Sequence, residues 1–307
     1  MIRKLARSCP GLWLGMVAAA LLALVLGLAL VLHPLVLTSS SELGAEHGSE
    51  AAGKTTQTGN SAVEPMQSGP PDSPKSDSPE PAAPSSPQGG LALVMDDMGE
   101  STQALRSLLE LGLPMNFALW PHARFAEESA RLASAAGHTL LIHQPMQPRS
   151  ATAQTGPNSL REGMSREEME ALLRQAMLKL PQAEGINNHM GSRFTANRPA
   201  VRELCAILAP SGLFVLDSVT HASSVLYEEA LKAGIPAARR DIFIDAEPGK
   251  EAALRQLQKA EQLALQGKQL VAIGHPLPST LAALREWNAS RDAALRFLPL
   301  RVCLTRP

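Results

Sequence analysis

Short apolar runs alternate with helical patterns from Gly89 to the end of the 307-residue chain, and this alternation limits the possible folds more than any other feature. Repeated strand-helix units imply parallel strands joined by helical crossovers, either in an open doubly wound sheet or in a barrel. About seven or eight such units suit a barrel better. The predicted strands are Leu91–Met95, Asn116–Trp120, Thr139–His143, Gly185–His189, Leu213–Leu216, Ile242–Ile244, Leu270–Ile273 and Leu298–Leu304.

Helical periodicity is clearest between Arg166 and Leu180, where apolar residues recur on one helical face. Ser165 and Glu168 form a capping-box pattern at the start of this segment. The other predicted helices are Ser101–Leu111, Phe125–Ala136, Pro199–Leu208, Ser223–Lys232, Glu251–Gln266 and Ser279–Asn288.

The N-terminal segment is of a different kind, because Leu12–Leu32 is almost wholly apolar and carries no charge. At about 1.5 Å per residue it is long enough to cross a hydrocarbon core of about 30 Å. Basic residues precede it and the first acid after it is Glu42, so the positive-inside rule places the N-terminus in the cytoplasm. We therefore predict that residues 1–37 form a single-pass anchor in a bacterial inner membrane; cleavage of a signal sequence and secretion is the alternative.

Residues 38–88 are rich in Ser, Pro and Gly, as in Ser68–Pro74 and Pro81–Pro87. Such a segment cannot bury enough apolar surface to offset the entropy of ordering, which predicts a disordered linker. The folded domain is then 89–307, on the periplasmic side. Its partners are not expected to include nucleic acid, because the formal net charge is -1 and only 3% of residues are aromatic.

Polar residues collect where the predicted strands end. The first strand stops on Asp96 and Asp97 before turning at Gly99, and consecutive side chains can both reach one site only where a strand ends and bends. A plain acidic turn that caps the next helix is the alternative. Each of His143, His189 and His275 also lies at the end of a predicted strand or directly after it. Functional groups of a barrel lie at this rim, which favours a shared site.

An aspartate and two histidines make a three-ligand metal set that leaves positions open for water, as in catalytic zinc sites; other divalent ions use similar sets. A bound metal lowers the pKa of water from about 15.7 toward about 7. A second carboxylate can accept the proton, and a remaining histidine can give one to a leaving group. These residues therefore indicate hydrolysis of an amide or ester.

The sequence resembles the divergent polysaccharide deacetylase family, part of the larger group of carbohydrate esterases, over Gly89 to Arg306. This resemblance implies a deformed, incomplete (β/α) barrel of about seven parallel strands. It also implies removal of N-acetyl or O-acetyl groups from an envelope carbohydrate by attack of a metal-bound water. The motifs that carry the resemblance are Val94–Gly99, Ile142–Met146, Gly185–Ser192, Leu216–Ser218, Arg240–Asp245 and Ala272–Pro276.

Carried over position by position, the resemblance makes Asp96 the general base and His275 the general acid. It makes Asp97, His143 and His189 the ligands of a divalent metal, with zinc the expected ion.

The resemblance also places Asp217 beside a histidine, where a carboxylate can fix the tautomer and raise the basicity of the ring. It gives Asn187, Asn188, Ser192 and Arg240 a role in orienting substrate or loops, for which ordinary loop hydrogen bonding is the alternative.

Two other functions stay open. Met98 stands between the acid pair and Gly99, and Gln147 follows the Pro145-Met146 pair where an acid is common in the family. These departures favour a catalytically inactive glycan- or partner-binding protein on the same barrel. Another metallohydrolase, an amidase or a phosphoesterase, is the second alternative.

Overall fold

The computed structural model describes residues 89–307. The predicted anchor, 1–37, and the predicted linker, 38–88, lie outside the described residues. Within 89–307, none of the helices combines the length and the apolar character needed to cross a membrane.

The described residues form eight strands and seven α-helices, and all seven predicted helices are confirmed to within a few residues. Ser101 caps the first helix, and the predicted capping box of Ser165 and Glu168 is present at the third. The strands are β1 (Gly90–Met98), β2 (Asn116–Leu119), β3 (Thr139–Met146), β4 (Gly185–Met190), β5 (Phe214–Asp217), β6 (Ala237–Arg239), β7 (Ile242–Phe243) and β8 (Gln269–Gly274). The helices are α1 (Thr102–Leu109), α2 (Ala126–Ala135), α3 (Arg166–Lys179), α4 (Arg198–Leu208), α5 (Leu226–Lys232), α6 (Lys250–Leu265) and α7 (Pro278–Ser290).

All eight strands belong to one parallel sheet with the order β6-β5-β4-β3-β2-β1-β8-β7. The edge strands β6 and β7 do not pair with each other, although only Arg240 and Asp241 separate them in the chain. The Arg240 N–H donates to Asp217 O on β5, and the Asp241 N–H donates to Val271 O on β8. The sheet must therefore curl until its two edges are almost in contact, which makes it an incomplete parallel barrel.

Two apolar cores cover the two faces of this sheet. Alternate residues of β1, such as Leu93 and Met95, belong to the outer core under the helices, whereas Ala92 and Val94 belong to the inner core inside the barrel. Side chains of a strand alternate between faces, so the inward row of β1 continues to Asp96. The inner core thus fills the barrel as far as the level at which the polar residues begin.

The predicted strand Leu298–Leu304 is wrong. Leu300–Cys303 is a 3-10 helix, and the flanking residues make only isolated bridges to the sheet. Leu298 and Leu300 are buried in the inner core, and a Cβ on Gly90 at the start of β1 would lie only 2.6 Å from Leu298 Cγ. Pro299 has no N–H for a strand ladder, and the two leucines bury their side chains by filling the floor of the barrel instead. The short strand β6, which is three residues long, was not predicted from the sequence.

The C-terminal segment should therefore be part of the core. Leu300 is 0% exposed, and replacing it with alanine should cost about 2 to 5 kcal/mol of unfolding free energy, measured by urea denaturation. Val302 is 49% exposed, so the Val302→Ala control should change stability by less than about 0.5 kcal/mol. Equal effects of the two substitutions would contradict this role of the segment.

Candidate functional site

The three side chains predicted as metal ligands lie together at the carboxyl ends of β1, β3 and β4. Asp97 Oδ1 is 3.0 Å from His143 Nε2 and 2.9 Å from His189 Nδ1, and the two nitrogens are 3.2 Å apart. Ligands at right angles around an ion at about 2.1 Å lie about 3.0 Å from each other, and tetrahedral ligands lie about 3.4 Å apart. The three donor atoms therefore match one face of a metal coordination shell, and they form the only such cluster of three within residues 89–307.

A bulge at the end of β1 brings both aspartates to this site. Met95 pairs with Phe117 and Met98 with Leu119, so β1 holds one residue more than β2 over this interval. Asp97 takes a left-handed conformation with φ of 54°, which aspartate tolerates better than most residues. The bulge explains how Asp96, although adjacent to Asp97, also lies beside the His143 ring.

Trp120 was not predicted as a site residue. Its indole N–H donates to Asp97 Oδ1 at 2.9 Å, and its ring lies edge-on to His189 with centroids 4.7 Å apart. Burial raises the pKa of Asp97, but the adjacent His143 and His189 rings outweigh it and hold that pKa below its usual value. Asp97 is therefore an anion whose position is fixed from three sides. The one available signal was an aromatic residue at the end of a predicted strand.

Asp96 is 3% exposed and lies on the inner side of the ligand set. Its Oδ1 accepts a hydrogen bond from Asn187 Nδ2 at 2.8 Å, and its Oδ2 lies 3.8 Å from His143 Nδ1. Burial raises the pKa of Asp96, although the nearby rings of His143 and His275 act in the opposite direction. A carboxylate with a raised pKa is a stronger base than an ordinary aspartate, as proton abstraction requires.

His275 follows β8 and approaches the ligand set at Asp97. Its Nε2 is 3.9 Å from Asp97 Oδ2, and its Nδ1 is 2.9 Å from Asp245 Oδ1. Burial lowers the pKa of His275, but the hydrogen bond and the charge of Asp245 raise it to about 9. His275 is therefore protonated at neutral pH and can donate a proton from Nε2.

Asp245 is the second site residue to which the sequence assigned no role. Its Oδ2 accepts from the His275 backbone N–H at 2.7 Å and from Thr280 Oγ1 at 2.9 Å. Like the predicted residues, it comes directly after a strand-like run, Ile242–Ile244, and that position was the available signal.

Asp217 lies elsewhere than the resemblance implies. Among the described residues its carboxylate binds no histidine; it accepts hydrogen bonds from the Val219 N–H, Ser224 Oγ and the Tyr227 N–H. These contacts hold the loop between β5 and α5. The carboxylate that holds a histidine is Asp245 instead.

Loop contacts also account for Asn188 and Ser192. Asn188 donates to Met190 O and accepts from the Ser218 N–H, which ties the end of β4 to the end of β5. Ser192 accepts through Oγ from the Arg149 N–H and through its carbonyl from Arg149 Nε. Both residues lie on the rim, and neither has a hydrogen bond to the ligand set within the described part of the chain.

Arg240 lies closer to the site. Its guanidinium donates to Ser218 O and Val219 O at 2.7 Å, and it stacks over Phe243 at 4.5 Å. Phe243 in turn packs edge-on against His275, with centroids 5.6 Å apart. Burial lowers the pKa of Arg240, while the charge of Asp96 acts in the opposite direction. Arg240 thus supports one wall of the site.

An incomplete parallel barrel with an Asp-His-His cluster at its carboxyl rim defines a (β/α)-barrel protein with a candidate metal centre. The chain belongs to the divergent polysaccharide deacetylase family, whose sequence profile matches residues 93–303. The resemblance noted from the motifs is thereby confirmed.

Two relatives with similar sequences are described as uncharacterized proteins. YibQ of Escherichia coli K12 is 36% identical over 210 residues, which are 67% of this chain and 65% of YibQ, so the match spans slightly less than two thirds of that relative. A protein of Haemophilus influenzae KW20 is 34% identical over 212 residues, which are 69% of this chain and 73% of that protein. The crystal structure of ATU2773 from Agrobacterium tumefaciens C58 shares the fold, with a TM-score of 0.61 and 23% identity over 65% of this chain and 82% of that one.

Proposed function

We propose that this protein is a metal-dependent deacetylase that removes N-acetyl or O-acetyl groups from a carbohydrate of the cell envelope. The observation that carries the proposal is the meeting of Asp97, His143 and His189, with Asp96 beside His143 and His275 beside Asp97. Membership of the divergent polysaccharide deacetylase family supports a carbohydrate as the substrate.

Asp97, His143 and His189 would hold a divalent cation, with zinc as the first candidate. The cation would supply Lewis acidity to polarise the acetyl carbonyl and to acidify water. Asp96 takes the proton from the attacking water, because its buried carboxylate has a raised pKa and its position is fixed by Asn187. His275, held protonated by Asp245, gives a proton to the departing amine or alcohol.

The location of the protein is part of the proposal. The apolar segment within residues 1–37 and the Ser/Pro/Gly-rich segment 38–88 would hold the catalytic domain on the periplasmic side of the inner membrane, within reach of envelope glycans. In the alternative, signal cleavage would release the same domain from the membrane and the protein would be secreted.

Metal removal tests the activity directly. The full chain loaded with Zn²⁺ should release acetate from N-acetylglucosamine oligomers or peptidoglycan fragments; a chelator should abolish the release, and added divalent metal should restore it. Metal binding without acetate release from any acetylated substrate would support the glycan- or partner-binding alternative. Turnover of phosphate esters or peptides instead would support another metallohydrolase.

A further inference from the structure

The amide of Asn187 lies between Asp96, the proposed general base, and His143, a proposed metal ligand. We infer that Asn187 is a positioning residue that fixes the tautomer of the ligand His143 and holds Asp96 in place, rather than one that orients substrate or a loop. Asn187 is only 1% exposed, so a substrate has no access to its amide. The inference deepens the proposed function, but it is tested by metal affinity and thermal stability and therefore does not depend on acetate release.

Hydrogen bonding fixes the orientation of this amide. Asn187 Nδ2 donates to Asp96 Oδ1 at 2.8 Å and to Ser218 Oγ at 3.1 Å, which uses both of its hydrogens. An ionised carboxylate can only accept, so the nitrogen of the amide must be the atom that faces Asp96. Asn187 Oδ1 then faces His143 Nδ1 at 2.8 Å.

The orientation of the amide decides where His143 carries its proton. Because Asn187 Oδ1 can only accept, the hydrogen of the neutral ring must be on Nδ1. The lone pair is then on Nε2, the atom that faces Asp97 and His189. A metal needs that lone pair, and the other tautomer would point a hydrogen at the ion.

The backbone places Asn187 for this role. His143 of β3 and Asn187 of β4 are directly paired in the parallel register, and both are on the inward row of their strands. Asp96 is inward on β1 and Ser218 follows β5. One buried amide on β4 thereby contacts a side chain of β1, one of β3 and one directly after β5, so a displacement of Asp96 would also shift the metal ligand His143.

Two substitutions separate the two halves of this role. Asn187→Ala removes the acceptor for His143 and should weaken the affinity for Zn²⁺ about tenfold or more, measured by competition with a chelator. Asn187→Asp keeps an oxygen that accepts from His143 Nδ1, so its Zn²⁺ affinity should stay within about threefold of wild type or become tighter.

The contact with Asp96 is tested by exchanging the amide and the carboxylate between positions 187 and 96. Asn187→Asp puts a carboxylate against Asp96 with no hydrogen to donate, and the melting temperature should fall by about 5 °C or more. Adding Asp96→Asn restores an amide–carboxylate pair in the reverse order, and the double variant should recover at least half of that loss.

Asn188→Ala is the matched control, because it removes a neighbouring buried amide that contacts neither Asp96 nor His143. It should lower the melting temperature while leaving Zn²⁺ affinity within about threefold of wild type. Wild-type Zn²⁺ affinity in Asn187→Ala, or a comparable loss of affinity in Asn188→Ala or Asn187→Asp, would overturn the role assigned at His143. A double variant no more stable than Asn187→Asp would overturn the role assigned at Asp96.

Discussion

Replacing Asp97 with asparagine is expected to weaken Zn²⁺ binding by about 100-fold or more and to abolish acetate release at stoichiometric metal. Substitution of a residue that only supports a metal ligand lowers metal affinity or activity about 10- to 100-fold, and loss of a charged ligand should lower them at least as much. Asp97 Oδ1 is a corner of the ligand triangle, within 3.0 Å of both histidine nitrogens. Metal affinity by chelator competition and acetate release are the two measurements.

Asparagine is the informative substitution at this position, because it tolerates the left-handed backbone of Asp97, whereas alanine would add strain. Glu100→Gln provides a matched control: the same chemical change at an exposed carboxylate on the turn after β1. This control should bind Zn²⁺ and release acetate like the wild type. Full metal affinity in Asp97→Asn would remove Asp97 from the ligand set and with it the basis of the proposed function.

Replacing Asp96 with asparagine is expected to reduce acetate release by about 10²- to 10⁴-fold, the usual contribution of a general base. Metal binding should survive, because the oxygen of the new amide can still accept from Asn187 Nδ2, so the contact between Asn187 and His143 stays intact. The loss should appear in kcat, since Asp96 is buried and its proposed role is to accept the proton of the attacking water.

Two results would contradict this role for Asp96. Parallel loss of Zn²⁺ affinity and activity in Asp96→Asn would identify Asp96 as a metal ligand. Wild-type kcat in a variant that still binds metal would show that another group accepts the proton.

The five rim residues that the sequence singled out could be predicted because the rule behind them is local. A strand that ends on an acid or a histidine delivers that side chain to the carboxyl rim, whatever the rest of the chain does. Asp96, Asp97, His143, His189 and His275 all followed a recognisable apolar run, and the structure brings them together.

Residues whose importance depends on distant partners were harder to predict. Asp245 is important because it hydrogen-bonds His275, which lies 30 positions further along the chain. Trp120 is important because a bulge in β1 turns Asp97 toward its indole N–H. Asn187 was placed in a predicted strand and given a role with substrate or loops, but its contact with His143 follows only from the pairing of β3 with β4. The pattern of Leu298–Leu304 fits an edge strand and a core-filling segment equally well. The choice depends on the space inside the barrel, which Leu298 and Leu300 fill.

The filled floor of the barrel also determines how a long glycan could meet this site. Ala92, Val94, Leu298 and Leu300 fill the interior below the level of Asp96, so no tunnel runs through the barrel formed by residues 89–307. Substrate and product must therefore enter and leave at the carboxyl end of the barrel. A polymer would lie across this end and could not pass through the barrel. A deacetylase built in this way could remove acetyl groups in the middle of a chain as readily as at its end.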